Sequence, residues 1–359
     1  MSSGLHAFYQ GKTVLVTGHT GFKGAWLCEI LSLLGARVVG YSLNPPTHPS
    51  LYDLIDLKSK LFASVIGDIR DLKHLRQVFE QYKPDVVFHL AAQPLVRESY
   101  KDPVTTYETN VIGTVNVLEA IRFSESVVSV INITTDKVYK NNEWCWGYRE
   151  CDMLDGFDPY SNSKSCSELV TSSYKKSFFS NRNIAISTCR AGNVIGGGDF
   201  SADRIVPDCV RAVEAKESIS VRNRHSIRPY QHVLEPLFAY LLLAKEQTTN
   251  HNLAGAYNIG PDERDCVTTG ELVDIFCQLW GEGASWVDRT QIDAPHEAGI
   301  LKLDCSKIKS NLSWKPVWGI REAVGRTVDW TKAYHRKEDL VSVMKQQISD
   351  YISYFQTED

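Results

Sequence analysis

Paired cysteines are missing from this chain of 359 residues. Nine cysteines are present but scattered, none in a CxxC; the nearest two, Cys145 and Cys151, flank "WGYRE". That spacing excludes a disulfide framework and a cysteine metal site, and leaves free thiols in a reducing compartment. Long hydrophobic runs are missing too. The longest, "LFAYLLLA" from Leu237, is far short of a membrane span, and "MSSGLHAFYQGK" at the start has no basic segment followed by an apolar one. Charge of one sign is also scarce: 39 Lys and Arg face 43 Asp and Glu, a net charge of −4. No basic stripe asks for nucleic acid or an anionic membrane. The expectation is a soluble, cytoplasmic protein with no metal, whose partners are small molecules or copies of itself.

What is present is an alternation of apolar runs and amphipathic segments. "KTVLVTG" from Lys12, "ARVVGYS" from Ala36, "FASVIGD" from Phe62, "DVVFHLAA" from Asp85, "SVVSVINI" from Ser126 and "IAISTCR" from Ile184 read as strands. Their continuous apolar character is that of strands covered on both faces. Between them, 25–35, 72–81, 104–123 and 160–179 read as helices. This predicts an α/β fold with a doubly wound, Rossmann-type parallel sheet. After about Gly192 the rhythm loosens, with one further helix in "VTTGELVDIFCQLWG" from Val267 opened by a threonine cap. The expected division is a dinucleotide-binding domain over 1–190 and a smaller, interleaved α/β substrate domain over 191–359.

The first chemical motif is "TGHTGFKG", Thr17 to Gly24, between the first strand and the first helix. Gly18, Gly21 and Gly24 permit a tight bend, close approach of a pyrophosphate and close helix packing, while the helix start offers unpaired amides to anionic oxygens. His19, Phe22 and Lys23 share the turn, and Lys23 adds a cation. An acidic residue normally ends the second strand to hold the adenosine ribose. It is absent: no Asp or Glu stands between Ile30 and Asn44, which leaves Ser42 and Asn44 for the ribose hydroxyls. No arginine ends that strand either, so NAD is expected over NADP, with a weaker grip than usual.

The stretch "SVINITTDKVYKNNEW" from Ser129 runs from an apolar strand into Thr135, Asp136 and Lys137. On its own this is a polar turn. Tyr160-Ser-Asn-Ser-Lys164 opens the helix that follows. With sixteen tyrosines, about one YxxxK is expected by chance. Its position is more telling, because Tyr160 and Lys164 share a helix face near the same sheet edge as the glycine turn. A phenol titrates near about 10 in isolation, and a neighbouring ammonium plus a cationic nicotinamide would lower it toward a usable base.

Taken together, "TGHTGFKG", "GDIRD" from Gly67, "HLAAQ" from His89, "TNVIGT" from Thr109, "TTDKVY", "YSNSK", "RAGNVIGGGD" from Arg190 and "RPYQHV" from Arg228 resemble the extended short-chain dehydrogenase/reductases that act on nucleotide sugars, over nearly the whole chain. Within that family the likeness is greatest to the 4,6-dehydratase branch that takes CDP-D-glucose. It rests on the lysine of "TDK", the acid-free second strand and "RAGNVIGGGDFSADRIVPD". The resemblance implies NAD as a catalyst that ends unchanged, CDP-D-glucose as substrate, and a homodimer or homotetramer joined through the helices at 104–123 and 160–179.

Residue by residue, the resemblance makes Tyr160 the base for the sugar's 4-hydroxyl and Lys164 the holder of the nicotinamide ribose. It puts Asp68 and Ile69 at the adenine, and Leu90, Ala91 and Ala92 along the cofactor's phosphate and ribose. Thr135 would bond the 4-oxygen. In the dTDP-glucose relatives, Asp and Glu follow that threonine; here they are Asp136 and Lys137. Oxidation at carbon 4 acidifies the hydrogen on carbon 5, so water can leave across carbons 5 and 6. Asp136 would protonate the departing 6-hydroxyl. Lys137 would take the carbon 5 proton as a neutral amine, or stay charged and stabilise the enolate. On the substrate side, Gln93, Asn193, Arg204, Arg228 and His296 are candidates for diphosphate, ribose, base or sugar. "RESYKDP" from Arg97 lies toward the sugar, and Arg222 and Arg224 fit solvated surface charge equally well.

Three rivals share parts of this pattern. A 4-epimerase needs only hydroxylated residues at the strand tip, and Asp136 with Lys137 argues against it. UDP- and dTDP-sugar 4,6-dehydratases share the chemistry. An NAD-sensing binding protein would be expected to lose Tyr160 or Lys164, and both are intact.

Overall fold

The six apolar runs form six strands of the main sheet, and the chain's later half supplies its seventh. A computed structural model describes residues 2–289 and 298–354. The strands are β1 (Thr13–Thr17), β2 (Arg37–Ser42), β3 (Ala63–Ile66), β4 (Val86–His89), β5 (Ser129–Ile133), β6 (Ala185–Ala191) and β7 (Ala256–Ile259). All pair in parallel, in the order β7-β6-β5-β4-β1-β2-β3. β1, β4, β5 and β6 are buried along their whole length, as their uninterrupted apolar sequence requires. The strand order reverses between β1 and β4, so a crevice opens there beyond the carboxyl ends of the strands.

Helices cover both faces. On one, Trp26 and Leu27 of helix Phe22–Leu33 pack with Leu237 and Leu241 of helix Leu234–Thr249 and Tyr351 of helix Leu340–Ser353. On the other, Leu75 and Val78 of helix Leu72–Tyr82 meet Val117 and Ile121 of helix Gly113–Arg122. A third core joins Val206, Leu272, Phe276 and Val324 from helices Ile205–Glu214, Thr269–Trp280 and Ile320–His335. The threonine cap expected near Val267 is a full capping box between Thr268 and Glu271. β7 and helix Leu234–Thr249 both come from the later half of the chain; β7 completes the main sheet and the helix packs on it.

Two expected helices contain a π turn. The segment read at 104–123 runs as Pro103–Tyr107, a π turn Glu108–Ile112 and Gly113–Arg122; that at 160–179 runs as Pro159–Tyr174 and a π turn Lys175–Phe179. The first π turn carries Asn110, whose carboxamide accepts from Gln93 N at 2.8 Å and donates to Ser163 Oγ at 2.9 Å, fixing the loop after β4 to the Tyr160 helix. No helix among the described residues is long and apolar enough to cross a membrane.

Candidate active site

A cavity of ≈ 2410 Å³ lies over the carboxyl ends of β1, β2, β4, β5 and β6 and extends between the sheet and the third core. It gathers nearly all the residues singled out in the sequence. Gly18, Gly21, Phe22, Lys23, Gly24, Ser42, Asn44, Asp68, Ile69, Leu90, Ala91, Ala92 and Gln93 line it, as do Thr135, Asp136, Lys137, Tyr160 and Lys164, and on the far side Asn193, Arg204 and Arg228. His19 is not in the lining, and His296 lies outside the described residues.

The glycine turn is shaped by close backbone contact. Gly18 has φ +77°, and a Cβ on it would sit 2.9 Å from Ala91 N; a Cβ on Gly24 would sit 2.1 Å from Gly18 O. Gly21 caps helix Phe22–Leu33 without any side-chain acceptor, so the first amides of that helix reach the cavity uncapped. This suits the diphosphate of a dinucleotide. His19 instead packs on Gly40, where a Cβ would meet its ring at 2.3 Å, and pairs with Ser64 Oγ at 2.8 Å. Burial pushes its pKa down to about 4.

Ser42 Oγ is 2.9 Å from Thr20 Oγ1, which donates to Leu43 O at 2.9 Å, leaving a polar, uncharged end to β2. Asp68 is gripped by Arg70 at 2.7 Å, and Arg70 also reaches Glu108 at 3.2 Å. The guanidinium holds the Asp68 carboxyl below the usual carboxylate range. Thr17 Oγ1 accepts the amides of Leu90 and Ala91 at 3.1 Å each, which places the loop after β4 against the glycine turn.

At the tip of β5, Thr135 caps a single turn, Asp136–Val138, and its hydroxyl donates to Asp136 Oδ1 at 2.9 Å. Asp136 is 1% exposed, its Oδ2 has no hydrogen-bond partner, and a Cβ on Gly192 would sit 1.8 Å from that oxygen. Burial raises its pKa, against the lowering effects of Lys137 and Thr135. An unpartnered buried oxygen is tolerable on a protonated carboxyl, and a proton is what a general acid must carry. Lys137 is partly exposed, and its Nζ has no hydrogen bond or ion pair among the described residues.

Asp158 caps helix Pro159–Tyr174 by accepting from Ser161 N at 2.9 Å, with Pro159 in the first turn. Lys164 Nζ donates to Ile133 O at 2.9 Å, and burial pushes its pKa down to about 8 while Glu168 pushes up. Tyr160 stands in the first turn of the same helix. Its pKa is pushed up to about 12, chiefly by burial, with only the Thr135 hydrogen bond and Arg204 pulling down. A cationic ring beside it would lower it further toward a usable base. Lys23 is also enclosed, near the Tyr240 ring at 5.9 Å, and burial with Arg204 and Lys164 pushes it down to about 7.

The far side is less committed to a ligand. Asn193 has φ +42°, Arg204 pairs with Asp199 at 3.1 Å, and Arg228 donates to Ile227 O at 2.9 Å and to Ala298 O. Gln93 donates to Leu95 O and Thr106 Oγ1, so its carboxamide shapes its own loop.

Thr20, Arg70 and Glu168 were not singled out in the sequence. Glu168 accepts from Thr134 at 2.5 Å, Thr188 at 2.7 Å and Arg190 at 2.9 Å, all buried. Its signal was there to find, since Tyr160, Lys164 and Glu168 are spaced by four and share one helix face. Among the described residues no cluster of three His, Cys, Asp or Glu could hold a metal.

The chain is similar to known proteins. The family described as GDP-mannose 4,6 dehydratase matches residues 15–327. A CDP-glucose 4,6-dehydratase of Salmonella typhimurium is 49% identical over 352 residues, covering 96% of this chain and 98% of its own. A dTDP-glucose 4,6-dehydratase of Xanthomonas campestris is 27% identical, covering 89% and 92%. Among solved structures, UDP-glucuronic acid 4-epimerase from Bacillus cereus, in complex with UDP-glucuronic acid and NAD, superposes with a TM-score of 0.77 at 22% identity, covering 90% of this chain and 99% of its own; at that identity the likeness is one of fold.

Proposed function

The chain belongs to the GDP-mannose 4,6 dehydratase family, and on that premise we propose that it is an NAD-dependent hydro-lyase converting CDP-D-glucose to CDP-4-dehydro-6-deoxy-D-glucose and water. The observation that carries this reading is Asp136: a buried carboxyl with a raised pKa and an unpartnered oxygen, in the same cavity as Tyr160 and Lys164. A 4-epimerase has no use for such an acid, whereas elimination of water does.

Bound NAD supplies the two-electron acceptor for carbon 4 and the donor for carbon 6. The glycine turn holds its diphosphate, Ser42 and Asn44 its adenosine ribose, Asp68 and Ile69 its adenine, and Lys164 its nicotinamide ribose. Tyr160 takes the proton from the 4-hydroxyl while Thr135 bonds the same oxygen. The ketone at carbon 4 acidifies the hydrogen on carbon 5, which Lys137 removes as a proton and returns to carbon 5 when carbon 6 is reduced. Asp136 delivers its proton to the 6-hydroxyl as water departs across carbons 5 and 6. Asn193, Arg204 and Arg228 hold the nucleotide from the 191–359 half, and Gln93 shapes the sugar end from the loop after β4.

The same reading places the enzyme in the cytoplasm, supplying a deoxysugar to dideoxyhexose synthesis and a surface polysaccharide such as lipopolysaccharide O-antigen. It is a homo-oligomer. Val104, Tyr107, Ile112, Leu169 and Phe178, exposed on the two helical segments that contain π turns, support an apolar helix pair joining two copies.

Incubating the purified protein and NAD with CDP-, dTDP- and UDP-glucose and UDP-N-acetylglucosamine, then adding alkali, reveals any 4-keto product by its chromophore. CDP-glucose is expected to give the strongest signal. A stronger signal from another nucleotide would reassign the substrate.

A further inference from the structure

One carboxylate oxygen bridges the two halves of the chain at the cavity wall. Asp203, in the loop before helix Ile205–Glu214, has φ +59°. Its Oδ1 lies 2.9 Å from Arg222 Nη1 and 3.5 Å from Arg97 Nη1. Arg97 sits on helix Val96–Lys101, downstream of the loop after β4, and Arg222 directly follows the short strand Ile219–Val221 of the other half. All three line the cavity.

The charges do not balance. Arg222 also reaches Asp208 Oδ2 at 3.2 Å, but Asp208 is shared with Arg211, and Arg97 has no other ion pair among the described residues. Three guanidiniums thus divide two carboxylates. Arg97, Arg222 and Asp203 are each about a third exposed or more, and pairs of that kind are weak. A diphosphate carries more charge and more acceptor oxygens than one carboxylate, and planar guanidiniums suit it.

We propose that Arg97 and Arg222 clamp the diphosphate of the substrate, and that Asp203 occupies the same guanidiniums until the nucleotide displaces it. The clamp draws one arginine from each half, so substrate binding exchanges an internal bridge for one through the ligand. This rests on the nucleotide-sugar reading above. The cofactor's diphosphate is the other ligand of matching chemistry, and the glycine turn already provides for it.

Titration calorimetry on the full chain with CDP and, separately, NAD tests the clamp. Arg97→Gln and Arg222→Gln are each expected to weaken CDP about tenfold or more, with NAD unchanged. Asp203→Asn keeps a residue type that accepts the left-handed backbone and is expected to tighten CDP about fivefold by removing the competitor. CDP affinity unchanged in the arginine variants, or not raised by Asp203→Asn, would overturn the proposal, as would a parallel loss of NAD. A wild-type protein that binds NAD but not CDP would instead overturn the nucleotide-sugar reading on which the clamp depends.

Discussion

At the scale of single residues, elimination depends on where one carboxyl group can sit. Gly192 leaves room for Asp136 that no side chain would leave, since a Cβ there would lie 1.8 Å from Oδ2. Gly192→Ala should therefore fold, bind NAD and oxidise carbon 4, yet lose the elimination step by about 10²- to 10⁴-fold, the usual worth of a positioned acid. Rapid mixing with CDP-glucose, reading the absorbance of reduced cofactor, should show it accumulating. Product formation at the wild-type rate would contradict this placement of Asp136. Asp136 itself was legible because its neighbours in sequence are its neighbours in space. Gly192 was not, because only the pairing of β5 with β6 brings it to the tip. His19 was misleading for a related reason: it stands in the glycine turn, but Gly40 across the β1–β2 pair offers its ring a slot away from the cavity.

At the scale of elements, the Tyr160 helix is fixed at three levels. Asp158 caps it, Lys164 ties it to β5, and Glu168 ties it to the residue after β5 and to β6 through Thr134, Thr188 and Arg190. Arg190 continues to Tyr139 at 2.8 Å, and Tyr139 to Asn258 of β7 at 2.6 Å. Glu168→Gln strands a buried guanidinium and should cost about 3–5 kcal/mol, seen as a lower urea midpoint at unchanged slope. Because Glu168 raises the Lys164 pKa, the variant should also lose the Lys164 proton at lower pH, shifting the alkaline limb of the pH–rate profile downward. A stable variant with an unmoved limb would show that Glu168 supports neither. The strands and this helix were legible from apolar runs and the YxxxK spacing; the π turns were not, since hydrophobic periodicity does not distinguish one inserted residue from a continuing helix.

At the scale of the molecule, the last helix is locked to the sheet-covering helix Leu234–Thr249 by one buried acid. Glu235 accepts from Val317 N at 3.0 Å, Trp318 N at 2.7 Å and Tyr351 OH at 2.8 Å, and burial pushes its pKa up to about 7. The folded chain holds this proton more tightly than the unfolded one, so the stabilisation is complete below the ordinary glutamate pKa and is lost as pH rises toward 7. Unfolding free energy should fall across that window by up to about 3 kcal/mol, and Glu235→Gln should flatten the fall. An equally steep profile in the variant would assign it to other groups. Such a contact joins residues 116 positions apart, beyond what local pattern reveals, whereas the doubly wound sheet followed directly from alternating strands and helices.

The central claim is that oxidation at carbon 4 and reduction at carbon 6 belong to one turnover with loss of water between them. CDP-D-glucose carrying deuterium on carbon 4 tests it directly, with the product examined by NMR. Deuterium is expected on carbon 6 of a 4-keto-6-deoxy sugar; deuterium retained on carbon 4 of a sugar that has lost no water would rule the dehydration out.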